Sequence, residues 1–243
     1  MFNFGFDRKT IIIVIAIMLI AWISSLGTGG LLGILLSLPG VLIAMTFHEY
    51  AHALAAYKLG DDTPKIQGRL NLNPISHIDP IGIVLLLVAG FGWGKPVQID
   101  SRNFDGKYSI SKAEAIVAAA GPIMNFVLAL VFSIIYYIIS AIMGSYAFAE
   151  TIWSVVLYGI IMINIGLGVF NLIPLPPLDG SKILMHFLGY NAKQWFYNNE
   201  RIFYFAFILL WVTGLLSSLL SPIFSGVFTG ITWLAFKIVS IFI

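Results

Sequence analysis

Two histidines and a glutamate stand close together in the apolar stretch TFHEYAHALAAYKLGD, residues 46–61. His48, Glu49 and His52 form the pattern H-E-x-x-H. Because residues four apart share one face of a helix, two imidazoles at this spacing can bind one metal ion. Glu49 directly follows the first histidine, where its carboxylate can reach a water on that ion and take its proton. The spacing therefore predicts a catalytic zinc site.

The alternative for these residues is a polar helix end with histidines at the membrane interface. An ionisable group inside a membrane span costs about 2.5–3.5 kcal/mol or more, so three clustered groups need a compensating partner. His48 lies 17 residues after Leu31, or about 26 Å along a helix, which places it within the bilayer. A bound metal ion supplies the missing partner, and we favour that interpretation.

A catalytic zinc ion usually has three protein ligands, and the chain contains no cysteine. Asp179 is the best candidate for the third. It lies in NLIPLPPLDG, residues 171–180, whose prolines stop the preceding helix because proline lacks an N–H donor. The chain after them is expected at the membrane depth of His48 and His52. Taken alone, the Asp179-Gly180 pair favours a turn or helix cap at the membrane surface, so the ligand interpretation depends on the two histidines.

The chain contains two other histidines. His77, in NPISHIDP, is the rival third ligand, although its place between two prolines favours a role in ordering a loop. His186, in ILMHFLGY, is interpreted as a histidine at the membrane interface.

The composition indicates a membrane protein. Of 243 residues, 59% are hydrophobic and 10% are charged, whereas a soluble domain carries about 25% charged residues. The chain cannot bury this much apolar surface in its own core, so the lipid bilayer must surround most of it. The net charge of +2 gives no reason to expect a nucleic acid partner. We expect an all-α polytopic membrane protein.

Six apolar segments are predicted to be membrane spans, although the first is short for one. Arg8 and Lys9, ahead of the first, also resemble the start of a signal peptide, but no clear cleavage site follows, so a retained helix is favoured. The predicted spans are residues 10–24, 31–59, 113–143, 151–173, 202–220 and 222–243.

The positive residues predict the orientation of these spans. If the N-terminus is cytoplasmic and each span crosses once, all 13 Lys and Arg belong to the cytoplasmic side, with Lys237 near the cytoplasmic end of the last span. The outer connections, residues 25–30, 144–150 and 221, contain none. The site then opens towards the cytoplasm.

A long loop, about residues 60–112, follows the second span. Its prolines and β-prone pieces such as KPVQI predict hairpin-like elements against the membrane surface. Within it, IGIVLLLVAGFGW, residues 81–93, is too short to cross a membrane, so we expect a re-entrant or interfacial segment.

Three motifs together resemble the site-2 protease family of intramembrane zinc metalloproteases. They are HEYAH on one span, GPIMN (residues 121–125) on a later one and NLIPLPPLDG after the next, and the likeness covers residues 31–188. The pieces LNPISHIDPIG and FGWGKPV are similar to a small branch without a PDZ domain, and no inserted stretch here is long enough for one. The resemblance implies one membrane metalloprotease domain over residues 1–243, in a prokaryotic plasma membrane.

The resemblance also implies roles for individual residues. His48, His52 and Asp179 would bind one zinc ion per chain, and Glu49 would be the general base. Asn171 matches the family's motif asparagine and would hold substrate or the oxyanion, with a helix-packing role as an equal alternative. Asn125 is given a supporting role in helix packing. The expected activity is cleavage of peptide bonds in or next to transmembrane segments of membrane-protein substrates, as in regulated intramembrane proteolysis; the oligomeric state is left open.

Other classes of membrane protein are less consistent with the sequence. A transporter or channel can also carry intramembrane His, Glu and Asp, but it would more often show two related halves with interrupted helices, and only residues 171–180 show a clear break. An inactive relative is disfavoured because all four expected site residues are present. A structural zinc site usually has four protein ligands.

Overall fold

The computed structural model describes residues 8–79, 82 and 94–242, with side chains described from residue 32 onward. This part of the chain contains ten α-helices and one short 3-10 turn, Ser101–Asn103. The helices are α1 (Arg8–Lys58), α2 (Thr63–Ile66), α3 (Pro74–His77), α4 (Ile110–Met143), α5 (Ser145–Ala149), α6 (Ile152–Asn171), α7 (Asp179–Phe187), α8 (Tyr190–Asn198), α9 (Glu200–Val212) and α10 (Leu215–Val239).

Four of these helices are long and apolar enough to cross a membrane. They are residues Leu32–Lys58 of α1, and the whole of α4, α6 and α10. The prediction of an all-α polytopic protein is confirmed for the described residues, whereas the six predicted spans are not reproduced. Two differences account for this.

The first difference lies in α1, which runs without a break through residues 25–30, where the sequence predicted a connection between two spans. Glycine is common in membrane helices, so the glycines of this stretch do not end the helix. At 1.5 Å per residue, the 51 residues of α1 extend about 77 Å, far more than the roughly 30 Å hydrocarbon core. Two separate spans would need a turn of the chain between residues 10–24 and Leu32–Lys58. The continuous helix α1 has no such turn.

The second difference lies near the C-terminus. The sequence predicted a break at Ser221, before Pro222, but Pro222 lies inside α10. The break occurs instead at Gly214, whose φ of +73° is a left-handed conformation that favours glycine. The 13-residue helix α9 is about 20 Å long and too short to span a membrane.

Helix α4 is the centre of the bundle and packs against α1, α6, α7 and α10. Small residues line these contacts, as is typical of membrane helices that approach closely. A Cβ on Gly40 of α1 would come within 3.2 Å of the Ile160 backbone, and one on Gly168 would come within 2.6 Å of the Phe126 ring. Glycine at both positions allows α1 and α4 to pack against α6.

The bundle has one end with long connections and one with short ones. The loop end comprises the described residues of 58–112 together with residues 172–214, and Lys193 Nζ of α8 donates to Ser111 Oγ at the start of α4 there (2.9 Å). The turn end comprises residues 144–151. Val239 and Ser240 line a cavity there with Gly144 and Ser145. Lys237 therefore lies at the turn end, and its predicted place on the side of the other basic residues is wrong, because α10 begins at Leu215, next to the loop end.

The first loop is fixed to the end of α1 by a buried carboxylate. Asp61 accepts hydrogen bonds from Thr63 Oγ1 (2.5 Å), the Asp100 N–H (2.8 Å) and Asn103 Nδ2 (3.0 Å). Burial opposes ionisation, but these hydrogen bonds favour it and hold the pKa of Asp61 below its ordinary value. Asp61 thereby fixes residues 100–103 beside the membrane helices.

The predicted hairpin elements of this loop are not formed as strands in its described residues. The described residues of the loop contain an isolated antiparallel bridge between Ile78 and Gly94. Beside it, the Lys95 N–H donates to His77 O at 2.8 Å. The predicted re-entrant segment, residues 81–93, lies outside the described residues except for Gly82.

Candidate metal centre

Three side chains meet at one point between α1 and the start of α7. His48 Nε2 and His52 Nε2 are 3.0 Å apart, and Asp179 Oδ2 lies 3.2 Å from each. Four ligands at about 2.0–2.1 Å from a tetrahedral zinc ion are separated by about 3.3 Å, so the spacing of the three atoms suits such an ion. All three side chains are largely buried. Among the described residues, they form a group that could hold a metal ion.

The hydrogen bonds on the far side of each imidazole fix which nitrogen faces this point. His52 Nδ1 donates to Val117 O at 2.7 Å, because a carbonyl oxygen can only accept. His48 Nδ1 faces Asn125 Oδ1 at 2.6 Å and likewise donates. In neutral rings both Nε2 atoms therefore carry lone pairs. Two lone pairs and a carboxylate oxygen that converge within 3.2 Å repel one another unless a cation lies between them, so the donor set fits a bound metal ion.

The position of Asp179 depends on the break after α6. The helix ends at Asn171, residues 172–178 turn without regular structure, and α7 begins at Asp179. The first turn of α7 packs directly on the end of α6, since a Cβ on Gly180 would lie 2.3 Å from Leu172 O. Only glycine fits this contact, which brings Asp179 back to the histidines.

Close packing of α4 completes the wall of the site. Gly121 of α4 faces the two histidines, and a Cβ there would lie 2.4 Å from His52 Nε2 and 2.6 Å from His48 Cε1. Gly121 therefore leaves the space in which the imidazoles converge. The sequence singled out GPIMN as a packing motif, and the structure shows what its glycine packs against.

Glu49, the predicted general base, lies next to the metal-ligand group on α1. Its Oε2 accepts a hydrogen bond from the Val97 N–H at 3.0 Å. Its Oε1 lies towards Gly94, where a Cβ would be 3.6 Å away. The carboxylate is thus held between α1 and the loop segment 94–97.

The remaining sequence candidates lie elsewhere. The ring of His77 is fully buried, and its Nε2 donates to Asn71 O at 2.8 Å; it is not part of the group formed by His48, His52 and Asp179. Asn171 donates Nδ2 to Leu167 O of its own helix at 3.0 Å. A role in holding substrate stays a prediction for Asn171. His186 has a buried Nδ1 without a hydrogen-bond partner among the described residues.

Sequence reasoning overlooked Asn164. This fully buried side chain on α6 accepts a hydrogen bond from Asn125 Nδ2 at 3.0 Å, and Asn125 contacts His48. An asparagine in the middle of a 20-residue apolar helix was a signal that could have revealed it, because a polar group at that depth needs a polar partner.

Comparison with protein families gives a match over residues 37–214 to the model of peptidase family M50. The chain belongs to peptidase family M50. The resemblance to the site-2 proteases is thereby confirmed, and with its four apolar helices the chain is a membrane protein of the peptidase class.

Several curated M50-like proteins resemble the chain along most of its length. It is 39% identical over 189 residues to YwhC of Bacillus subtilis, which carries the provisional name of a zinc metalloprotease. The match covers 73% of this chain and 80% of YwhC. MJ0611 of Methanocaldococcus jannaschii, with the same provisional name, is 28% identical over 74% of this chain and 86% of its own length. Rip2 of Mycolicibacterium smegmatis, which carries the same provisional name, is 29% identical to the chain. The match covers 66% of this chain and 63% of Rip2. No solved structure matches.

Proposed function

We propose that this M50 family member is a zinc-dependent endopeptidase, with one zinc ion held by His48, His52 and Asp179 in a single domain that spans residues 1–243. The observation that carries the proposal is the convergence of two imidazole lone pairs and a carboxylate oxygen within 3.2 Å. Three protein ligands leave a fourth position open, as in catalytic zinc sites. The names of YwhC, MJ0611 and Rip2 support zinc as the metal.

A zinc ion bound there would supply a Lewis acid that lowers the pKa of water towards 7 and polarises a carbonyl. Glu49 takes the proton from the attacking water and returns it to the leaving amine. The Val97 N–H holds one oxygen of Glu49, which leaves the other free for this transfer. One amide hydrogen of Asn171 Nδ2 bonds to Leu167 O. Asn171 is proposed to hold substrate or the oxyanion through its other amide hydrogen.

The proposed substrates are membrane proteins cut in or next to a transmembrane segment, as in regulated intramembrane proteolysis. His48 lies ten residues before the end of the span Leu32–Lys58, or about 15 Å of helix from that end. A site at this depth meets chains that are themselves in the membrane. A substrate helix hides its carbonyls in internal hydrogen bonds, so it must unwind locally before cleavage.

The active site is proposed to open to the cytoplasm of a prokaryotic cell. The loop end of the bundle carries ten basic residues, while at the turn end the connection 144–151 carries none and α10 contributes Lys237, which is the pattern of a cytoplasmic loop end. The bacterial and archaeal relatives support the prokaryotic setting. A cytoplasmic N-terminus would in addition require a break in α1. The ten residues are Lys58, Lys65, Arg69, Lys95, Arg102, Lys107, Lys112, Lys182, Lys193 and Arg201.

The metal dependence of cleavage tests this function. Purified protein is reconstituted in liposomes with single-span substrates, stripped with a chelator and then supplied with Zn²⁺ or Mg²⁺. We expect cleavage to stop on chelation and to return with zinc but not with magnesium, because imidazole ligands suit zinc. Cleavage that survives complete removal of metal would contradict the proposal.

A further inference from the structure

Two asparagines form a buried relay behind the metal centre. Asn125 of α4 and Asn164 of α6 are both fully buried. Asn125 Oδ1 faces His48 Nδ1 at 2.6 Å, and Asn125 Nδ2 donates to Ala44 O of α1 at 3.1 Å and to Asn164 Oδ1 at 3.0 Å. Asn164 Nδ2 donates to Ile160 O of its own helix at 2.8 Å.

The two carbonyl oxygens at the ends of this relay fix the direction of every bond in it. Ile160 O and Ala44 O can only accept, so the amide nitrogens of Asn164 and Asn125 must face them. Asn164 Oδ1 then faces Asn125, and Asn125 Oδ1 faces His48. His48 Nδ1 must therefore carry the hydrogen, which leaves Nε2 as the lone pair that points at Asp179.

We propose that Asn164 is a positioning residue for the metal centre and acts through Asn125, which orients His48 and fixes its tautomer. The proposal rests on the proposed zinc site. Groups that hydrogen-bond the far nitrogen of a ligating histidine set its orientation and basicity, and their loss typically weakens metal binding about 10–100-fold. Asn125 is such a group, and Asn164 occupies one of its two amide hydrogens.

The relay also connects three helices that surround the metal centre. It joins α1, which carries both histidines, to α4 and then to α6, whose end leads to Asp179. A polar contact in the apolar interior selects one register of these helices, because any shift leaves an amide without a partner. Asn164 thus helps to hold α6 where the turn after it can present Asp179.

The relay is tested with Asn125→Ala, Asn164→Ala and the double variant, in the full chain in detergent. The readouts are Zn²⁺ affinity by competition with a chromophoric chelator, the visible absorption of the Co²⁺-substituted protein, and thermal stability. Ser133→Ala is the matched control, since Ser133 is a buried polar residue of α4 whose hydroxyl bonds only to Ala129 O at 2.7 Å in the described structure.

We expect Asn125→Ala to weaken zinc binding about 10–100-fold and to alter the Co²⁺ spectrum. Asn164→Ala should weaken binding by less, and it should add little in the Asn125→Ala background, because it acts through Asn125. Ser133→Ala should leave zinc affinity unchanged, even where its thermal stability falls as much as that of the asparagine variants. If Asn125→Ala does not fold, the single Asn164→Ala variant decides.

Two outcomes would overturn the relay and are distinct from failure of the metal site. Zinc affinity equal to wild type in Asn164→Ala, with only thermal stability lowered, would make the relay purely structural. Additive effects of the two substitutions would show that Asn164 does not act through Asn125. Failure of the wild-type protein to bind zinc would instead remove the proposed metal site itself, and the relay's role with it.

Discussion

Val97 donates its backbone N–H to Oε2 of Glu49 across 3.0 Å, although the two residues lie 48 positions apart. The loop segment that carries Val97 is fixed on both sides. The Lys95 N–H donates to His77 O, and the Asp100 N–H donates to Asp61 Oδ2, both at 2.8 Å. The loop end of the bundle therefore orients the carboxylate that is proposed to move the proton.

Replacing Val97 with proline removes this N–H. A hydrogen bond to a charged group contributes about 1.5–3 kcal/mol, so we expect turnover to fall roughly 10–100-fold. Zinc affinity should be unchanged, because no metal-ligating atom is touched. Val97→Ala, which keeps the N–H, is the control. Equal turnover of the proline and alanine variants would show that this bond does not position Glu49.

Gly121→Ala tests the close packing of α4 on the histidines. The added Cβ would lie 2.4 Å from His52 Nε2, so the imidazoles or the helix must shift. We expect loss of tight zinc binding, measured on purified protein by metal analysis. Gly159→Ala is the matched control, because a Cβ at Gly159 of α6 meets nothing within 4 Å. Normal zinc content in Gly121→Ala would contradict the geometry of this wall.

Asp179→Asn tests the third ligand at almost constant size. An amide is a far weaker zinc ligand than a carboxylate, so we expect zinc affinity to fall sharply in chelator competition. Asp62→Asn serves as the control for a change of charge in a loop. If Asp179→Asn binds zinc as wild type does, the third ligand must be sought elsewhere, with His77 as the rival from the sequence.

Asp61 gives the protein a pH-dependent stability. Its pKa in the folded protein lies below its ordinary value, so the folded state is favoured when Asp61 is ionised. This contribution is fully present above the unfolded pKa of about 3.9 and is lost as pH falls through the lower folded pKa. We expect Asp61→Asn to lower Tm at pH 7 and the difference from wild type to narrow below pH 4.

The control for Asp61 is Asp105→Asn, because Asp105 is exposed and lies in the same loop. Asp105→Asn should leave Tm unchanged at both pH values. A Tm difference between wild type and Asp61→Asn that stays constant from pH 7 to pH 3 would show that ionisation of Asp61 is not what stabilises the loop.

The sequence was sufficient to predict that the side chains of His48, His52 and Asp179 meet. His48 and His52 share a helix face by spacing alone, and prolines after Asn171 end a helix at a predictable place. Gly121 was recognisable as a packing glycine. The partner of this glycine could not be predicted, because the contact with His52 joins residues 69 positions apart.

The helix boundaries and the relay required the structure. Pro222 is tolerated inside α10, and glycines are tolerated within α1, because helix breakers act less strongly in membranes than in water. The break at Gly214 depends on a left-handed conformation that composition does not reveal. Asn164 is linked to His48 through Asn125 on another helix, and a single sequence does not show such pairs.

Glu49 is the proposed proton acceptor at a zinc ion held by His48, His52 and Asp179. This role is tested by Glu49→Gln, which keeps the size of the side chain and an acceptor for the Val97 N–H but cannot take a proton. Zinc content and cleavage of a single-span substrate are measured on the same reconstituted preparation. We expect wild-type zinc content with cleavage reduced at least about 10²-fold. Cleavage at the wild-type rate by zinc-loaded Glu49→Gln would contradict it.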